Sequence, residues 1–384
     1  MTVSALAGAA MLAACGTTAA APPTFVAPAA SSAVPPPSTA GSPSPTPSAT
    51  SAPSKVATLP RPGNANGHAA VPAEARAVDT RHPDHVIGSG TPAGCTSAAV
   101  VRAVAAGGVI TFNCGPAPVT ISMTATAMVR NAHGPRIVLD GGGRVTLSGG
   151  GKRRILYMNT CDPAQGYTTS HCQDQDSPRL TVQNLVFANG NSTGQTAEGG
   201  GGGAIFVRGG RFKVVNSRFV GNRCDRTGPD LGGAAIRVLS QYHGLPVYIV
   251  HSTFERGSCS NGGALSSIGV SWAVLNSELV DNRAVGHGAN PARGGTPGGG
   301  SGGAIYTDGD RFTVTLDGTV IRDNRAEEGG GAVFFVSNDR TGTMTIRNST
   351  LRRNPSAGFE TAGLPGIFFL GARKPAVIGS ALRR

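Results

Sequence analysis

Two segments one hundred residues apart carry the best candidates for chemistry. Ile205-Phe206-Val207-Arg208-Gly209-Gly210-Arg211-Phe212 aligns without gaps on Ile305-Tyr306-Thr307-Asp308-Gly309-Asp310-Arg311-Phe312. If the chain repeats at that spacing, Asp308, Asp310 and the downstream Asp339 gather near Arg311 and Arg340. Convergent carboxylates can hold a hard cation, or divide acid and base roles between them. Gly, Asp and Asn are also ordinary bend residues, so Asx turns are the competing reading of the same positions. In the same segments strand alternation sends Ile205, Ile305 and Val333 inward and Phe206, Tyr306 and Phe334 outward. Outward rings on a flat sheet are natural platforms for sugars. A third feature is a possible cationic file of Arg223, Arg283 and Arg325, of which Arg325 is the candidate ligand contact. Asp281 and Asp323, each two residues upstream of an Arg, offer a salt-bridge ladder instead. No CxxC or clustered His points to a metal site.

The elements that must position these residues are short strands on a repeat. A GGA-apolar phrase occurs at Gly202-Gly203-Ala204-Ile205, Gly232-Gly233-Ala234-Ala235, Gly262-Gly263-Ala264-Leu265, Gly302-Gly303-Ala304-Ile305 and Gly330-Gly331-Ala332-Val333. The steps between alanines are 30, 30, 40 and 28 residues, a period that signals a solenoid. Most copies are followed by an alternating strand, an Asn-Ser pair, an apolar residue and a closing Asn, as in Asn216-Ser217-Arg218-Phe219 to Asn222. Alternation of period two and flanking Gly, Asn and Asp read as strand rather than helix. The register predicts an inward column of Phe187, Phe219, Phe254, Leu279, Ile321 and Leu351. Three residues before each lies a bend column of Asn184, Asn216, His251, Asn276, Gly318 and Asn348, expected to form a structural ladder.

These phrases resemble bacterial right-handed parallel β-helix repeat proteins of the pectate-lyase-like superfamily. The opening does so too: Cys95-Thr96-Ser97-Ala98-Ala99, Gly107 to Gly115, and Val138-Leu139-Asp140-Gly141-Gly142-Gly143. The likeness covers about residues 85 to 384 and speaks to fold more than to activity. It implies an all-β, single-chain right-handed parallel β-helix with an N-terminal capping segment and a disordered N-terminal linker. Polyuronate lyases of that superfamily use an Arg or Lys base beside calcium, and hydrolases use clustered Asp. None of their signatures is intact here, so no catalytic residue is carried over; calcium is implied only for a lyase, and otherwise no cofactor is expected.

The front of the chain reads as an address and a tether. Leu12-Ala13-Ala14-Cys15-Gly16 after a short apolar run matches a lipobox, with residues 1–14 as signal peptide and Cys15 as the lipidated residue. No Lys or Arg precedes the run, a departure from the usual positive n-region. The Pro/Ala/Ser-rich stretch that follows buries too little to fold. A proline-stiffened spacer of some 50 residues reaches roughly 150 Å. The linker is expected over 15–90 and the β-helix domain over 91–384.

With Cys15 set aside for lipid, six of the seven cysteines remain for disulfides in an oxidising compartment. Cys224 and Cys259 each lie five residues beyond an inward Phe. They therefore share a phase on adjacent coils, within bridging distance. Cys161 and Cys172 bracket one loop, and Cys95 and Cys114 bracket the opening segment. The net charge of +12 is carried mainly by Arg. No basic helix marks nucleic-acid recognition, and the export signal argues against it. A basic exported protein meets anionic polymers. Together these features lead to the expectation of a monomeric, membrane-anchored, surface-exposed β-helix that binds extracellular or cell-wall polysaccharide. Its binding face would be framed by the glycine-rich insertion between Asn282 and Gly302. Two alternatives accompany it: a lyase or glycoside hydrolase acting on anionic polysaccharide, and a structural or adhesive protein without a sugar site.

Overall fold

The computed structural model describes residues 59–132, 136–195, 200–291 and 293–384. The expected signal segment, Cys15 and the expected linker as far as residue 58 lie outside the described residues. The chain is a right-handed parallel β-helix. Its strands form a 17-stranded, an 8-stranded and a 3-stranded sheet along the stack. One coil shows the plan. Ile305–Asp308 lies in the 8-stranded sheet, Thr313–Asp317 and Val320–Arg322 in the largest, and Arg325–Ala326 in the smallest. The next coil repeats it, with Val333–Val336, Thr343–Arg347 and Thr350–Arg352 paired in parallel to the first three.

The inward column has the expected register. Phe219 pairs with Phe187 and Phe254, Leu279 with Phe254 and Ile321, and Leu351 with Ile321. The three phenyl rings stack with centroids 4.9 and 4.6 Å apart and interplanar angles of 8° and 6°. Strand spacing is close to ring-stacking distance, so identical residues on successive coils fall face to face. Leu147 and Leu382 extend the column at either end.

The bends explain the polar repeats. Asn184, Asn216, His251, Asn276, Gly318 and Asn348 all sit at φ between 45° and 60°, the left-handed region that Asn tolerates and Gly adopts freely. As a hydrogen-bonded ladder this column is only partial: Asn216 Nδ2 donates to Asn184 Oδ1 at 3.3 Å, whereas Asn276 turns away to another segment. The continuous ladder is built by the closing Asn residues. Asn282 Nδ2 donates to Asn324 Oδ1 and Asn324 Nδ2 to Asn354 Oδ1, both at 2.9 Å and buried. The same amides also donate to Phe254 O and Leu279 O, at 3.0 Å each.

The GGA phrase turns each coil into the 8-stranded sheet. Its turning glycines, Gly202, Gly233, Gly262, Gly302 and Gly330, all have φ between 54° and 72°. The second copy lies one residue later than the sequence phrase suggests: Ile236, not Ala235, pairs with Ile205 and Leu265. The extra small residue, Ala234, fills a pocket against Cys224 and Cys259.

One helix, Ser97–Ala106, closes the N-terminal end. Thr96 Oγ1 caps it by accepting from Ala99 N, and Val100, Ala103 and Val104 are buried in the end of the core. All three cysteine pairs are bonded: Cys95–Cys114, Cys161–Cys172 and Cys224–Cys259, with Cα–Cα distances of 5.8, 4.9 and 4.7 Å.

The domain boundary expected at residue 91 falls too late. His85–Ile87 is already a strand, paired with Ile110–Phe112. Before it, residues 63–80 lie as a strap across the outer face of the largest sheet. Asn276 clasps Ala69 through both backbone groups, at 2.7 and 3.0 Å. Asn64 Nδ2 donates to Gly318 O, Gln183 pairs with both backbone groups of Val78, and Thr80 Oγ1 donates to Asp140. Ala69 and Ala75 are buried against Val215, Val250 and Leu275. A Cβ on Gly67 would meet Gly318 O at 2.8 Å, so the strap crosses there only as glycine. Its apolar side chains are nearly all Ala and Val, too small to build a core alone, so the segment borrows its core from the solenoid.

Phe254→Ala should cost about 3–5 kcal/mol by opening a cavity in the ring stack. Urea unfolding measures this, and a near-neutral midpoint would show that the stack is not what holds the coils.

Candidate functional site

The outer face of the 8-stranded sheet carries a column set by strand register: Tyr157, Phe206, Arg237, Ser266, Tyr306, Phe334 and Phe368. As expected, Ile205, Ile305 and Val333 point into the core. The outward aromatics, however, are not open platforms. Phe206 is 1% exposed, Tyr306 6%, and Phe334 is half-buried. The coil spacing that brings them into line lays each ring on its neighbour. Tyr157 stacks on Phe206 at 5.4 Å, and Tyr306 on Phe334 at 5.0 Å with planes 3° apart. Phe334 stacks in turn on Phe368, and Phe359 covers that pair edge-on. Arg154 lies over Phe206 at 5.1 Å while donating to Gly202 O and Gly201 O. These rings cover one another and are not exposed sugar platforms.

Between the two aromatic stacks opens a cleft of about 620 Å³. Its floor is the second outward column, Arg208, Leu239, Ile268 and Asp308, one residue from each of four consecutive coils. Arg237 lines it from the first column, and Gln173, Asp230, Ser240, Gly309 and Asn338 complete the rim. Two of the rim residues are held by constraints on their loops. Gln173 follows the Cys161–Cys172 disulfide. Asp230 sits on a turn pinned by Asn261, whose Nδ2 donates to Pro229 O at 2.7 Å. The insertion expected to frame the binding face packs on that turn: Gly228 N donates to Gly298 O, and Gly298 touches Pro229.

Asp308 is the one candidate carboxylate that reaches the cleft. Its Oδ2 accepts from Tyr306 Oη at 3.2 Å; its Oδ1 accepts from Gly309 N at 2.7 Å and from Asn338 Nδ2 at 3.3 Å. Burial, with help from Asp308 and Asp230, pushes the Tyr306 phenol well above its ordinary range. Asp310 is exposed at the bend and contributes its backbone oxygen to Ser337. Asp339 closes an Asx turn, accepting from Thr341 N, Thr341 Oγ1 and Ser337 Oγ. Those bonds, led by Thr341 N–H, lower its pKa, and the nearby Arg311 adds to the effect. Arg340 is the left-handed residue of the same turn. The expected cluster of three aspartates is therefore not assembled. Among the described residues no group of three or more His, Cys, Asp or Glu is placed to hold a metal ion.

Arg325 lies elsewhere. It continues a column of Arg223, Ser258 and Arg283 along the smallest sheet and does not line the cleft. It pairs with Glu327 at 3.2 Å, and Arg283 with Asp281 at 3.3 Å, both well exposed. Asp323 is taken by Arg322 and Arg353. The charges on this side form surface ion pairs, the weaker of the two expected uses.

Arg237 is what sequence reasoning missed. It is 2% exposed, and among the described residues its one hydrogen bond is a long one, Nη1 to Ser266 Oγ at 3.4 Å. Its Nε has no partner among the described residues. Burial draws its pKa down to about 10. The GGA phrase taken at Gly232 to Ala235 puts Arg237 one position out of phase, and a one-residue slip moves a side chain to the opposite face. Ile236, continuing the column of Ile205 and Ile305, was the signal that could have found it.

Comparison with protein-family models, with curated proteins and with solved structures gives no match for this chain.

Tyr306 binds its proton more tightly folded than unfolded, so its contribution to stability is full below about pH 10 and lost above it. In a phenolate absorbance titration Tyr306 should ionise only as the chain unfolds. Tyr306→Phe should remove that step.

Proposed function

We propose that this chain is an exported, lipid-anchored β-helix protein that binds extracellular or cell-wall polysaccharide in the cleft of the 8-stranded sheet. The observation that carries the reading is the cleft itself. It crosses four coils, with an apolar centre at Leu239 and Ile268 and polar ends at Arg208 and Asp308. An elongated, shallow groove with apolar floor and polar rim suits a chain of sugar rings better than a compact metabolite. The rim amides and hydroxyl of Gln173, Asn338 and Ser240 suit sugar hydroxyls. The resemblance of the repeat to the pectate-lyase-like superfamily agrees with a glycan ligand. Binding is favoured over cleavage because, of the three aspartates expected to cluster, only Asp308 lines the groove, where Asp230 is the other carboxylate, while Asp339 is held in its own turn.

The lipobox supports the anchor, and the Pro-rich stretch after Cys15 supplies the reach to present the domain away from a membrane. The six bonded cysteines fit an oxidising compartment outside the cytosol.

Calorimetry against a panel of wall and extracellular oligosaccharides tests the reading. Ile268→Trp, which fills the groove, should weaken binding at least about tenfold while leaving the unfolding midpoint in place. Binding that persists in this variant would move the site elsewhere. Cys15→Ala should shift the protein from the membrane to the soluble fraction, and unchanged partition would remove the anchor.

A further inference from the structure

Arg237 is the feature of the cleft that the general glycan reading leaves unexplained. A guanidinium withdrawn from water without a counterion is strongly destabilising unless something compensates it. Among the described residues no carboxylate lies within ion-pair distance of it. Asp230 and Tyr306 are its electrostatic neighbours, not its partners. Arg154, the other buried arginine of this face, is satisfied by two carbonyls and two rings. Arg237 has instead a hydroxyl at long distance, an unpartnered Nε and an open cleft in front of it. Arg237 thus lines the cleft with N–H donors left unused, and an oxyanion that enters beside it can engage them in parallel.

The same cleft sets a limit on how much negative charge it takes. Asp308 lies two coils on and two residues further along its strand, roughly 12 Å from Arg237 by strand geometry. Asp230 stands on the rim between them. An anion at Arg237 is compensated; a second anion on the Asp308 side of it meets these carboxylates in a partly desolvated site, Arg208 lying at the opposite end of the groove.

We propose that Arg237 is the receptor for a single oxyanion on the bound glycan, and that Asp308 and Asp230 reject the next one. The ligand is then a glycan with spaced acidic groups, not a polymer charged at every residue. This rests on the glycan reading of the cleft. The oxyanion is a carboxylate on a sugar or a phosphodiester between sugars, both singly charged.

Three oligosaccharides of matched length decide it by calorimetry: one alternating glucuronate with N-acetylglucosamine, one of galacturonate throughout, and one of N-acetylglucosamine alone. A glycerol phosphate-linked oligosaccharide separates phosphodiester from carboxylate. The wild type should bind an alternating acidic or phosphodiester ligand best. Arg237→Gln should weaken that binding about ten- to hundredfold and weaken the neutral oligosaccharide far less. Asp308→Asn should improve galacturonate binding about fivefold or more. Equal wild-type affinity for the alternating and fully charged ligands, or no effect of Arg237→Gln, would overturn the proposal while leaving glycan binding intact. If no oligosaccharide binds, the glycan reading itself fails. The Arg237 Nε–H resonance of the wild type, followed with glucuronate and methyl phosphate, then tests the anion receptor alone. A shift supports it and silence overturns it, and the same measurement serves if Arg237→Gln does not fold.

Discussion

Everything in this protein depends on one spacing. Parallel coils pair edge to edge at about 4.8 Å, and every residue is therefore stacked on its counterpart one coil away. Inside, that spacing suits flat rings and branched chains, which is why Phe187, Phe219 and Phe254 lie nearly parallel and give way to Leu279 and Ile321 without a break in register. At the corner it suits amides. Asn282 and Asn324 each donate to the next Asn of the column and to a backbone carbonyl, and Asn354 donates to Ile321 O, so buried polar groups at a sharp bend are satisfied by repetition.

The same spacing governs the outer face of the 8-stranded sheet, with a different result. Tyr157 with Phe206, and Tyr306 with Phe334 and Phe368, satisfy their apolar area on one another. The break between the two stacks, at Arg237 and Ser266, is where the cleft forms. Loops then decide its shape. The coil that carries the glycine-rich insertion before Gly302 also holds down the turn bearing Asp230, through Gly298 on Pro229. Irregular backbone is placed where the regular stack is interrupted, a common division of labour between scaffold and site.

The ends and the flank of a solenoid are its exposed liabilities. The helix Ser97–Ala106 plugs one end with Val100 and Val104, and the Cys95–Cys114 bridge ties it to the first coils. The strap at residues 63–80 covers apolar positions on the flank that would otherwise face water, and Asn276 leaves its place in the bend column to hold it.

The sequence by itself determined what repeats. The parallel β-helix, the inward column from Phe187 to Leu351 and the phase match of Cys224 with Cys259 all follow from a short period and local alternation, because each such residue is placed by its neighbours in the chain. Tertiary structure decided what does not repeat. Ala69 meets Asn276 across 207 residues, and no local pattern announces an Ala-rich strap that takes its core from elsewhere. The burial of Phe206 and Tyr306 was equally invisible, since alternation gives the face of a side chain but not what lies over it. Asp308, Asp310 and Asp339 looked alike as bend residues, yet only Asp308 faces the groove, because the loop geometry at each turn differs. Arg237 was hidden by a single extra alanine: a one-residue shift exchanges inside for outside, and only the pairing of Ile236 with Ile205 and Leu265 shows which way the arginine turns.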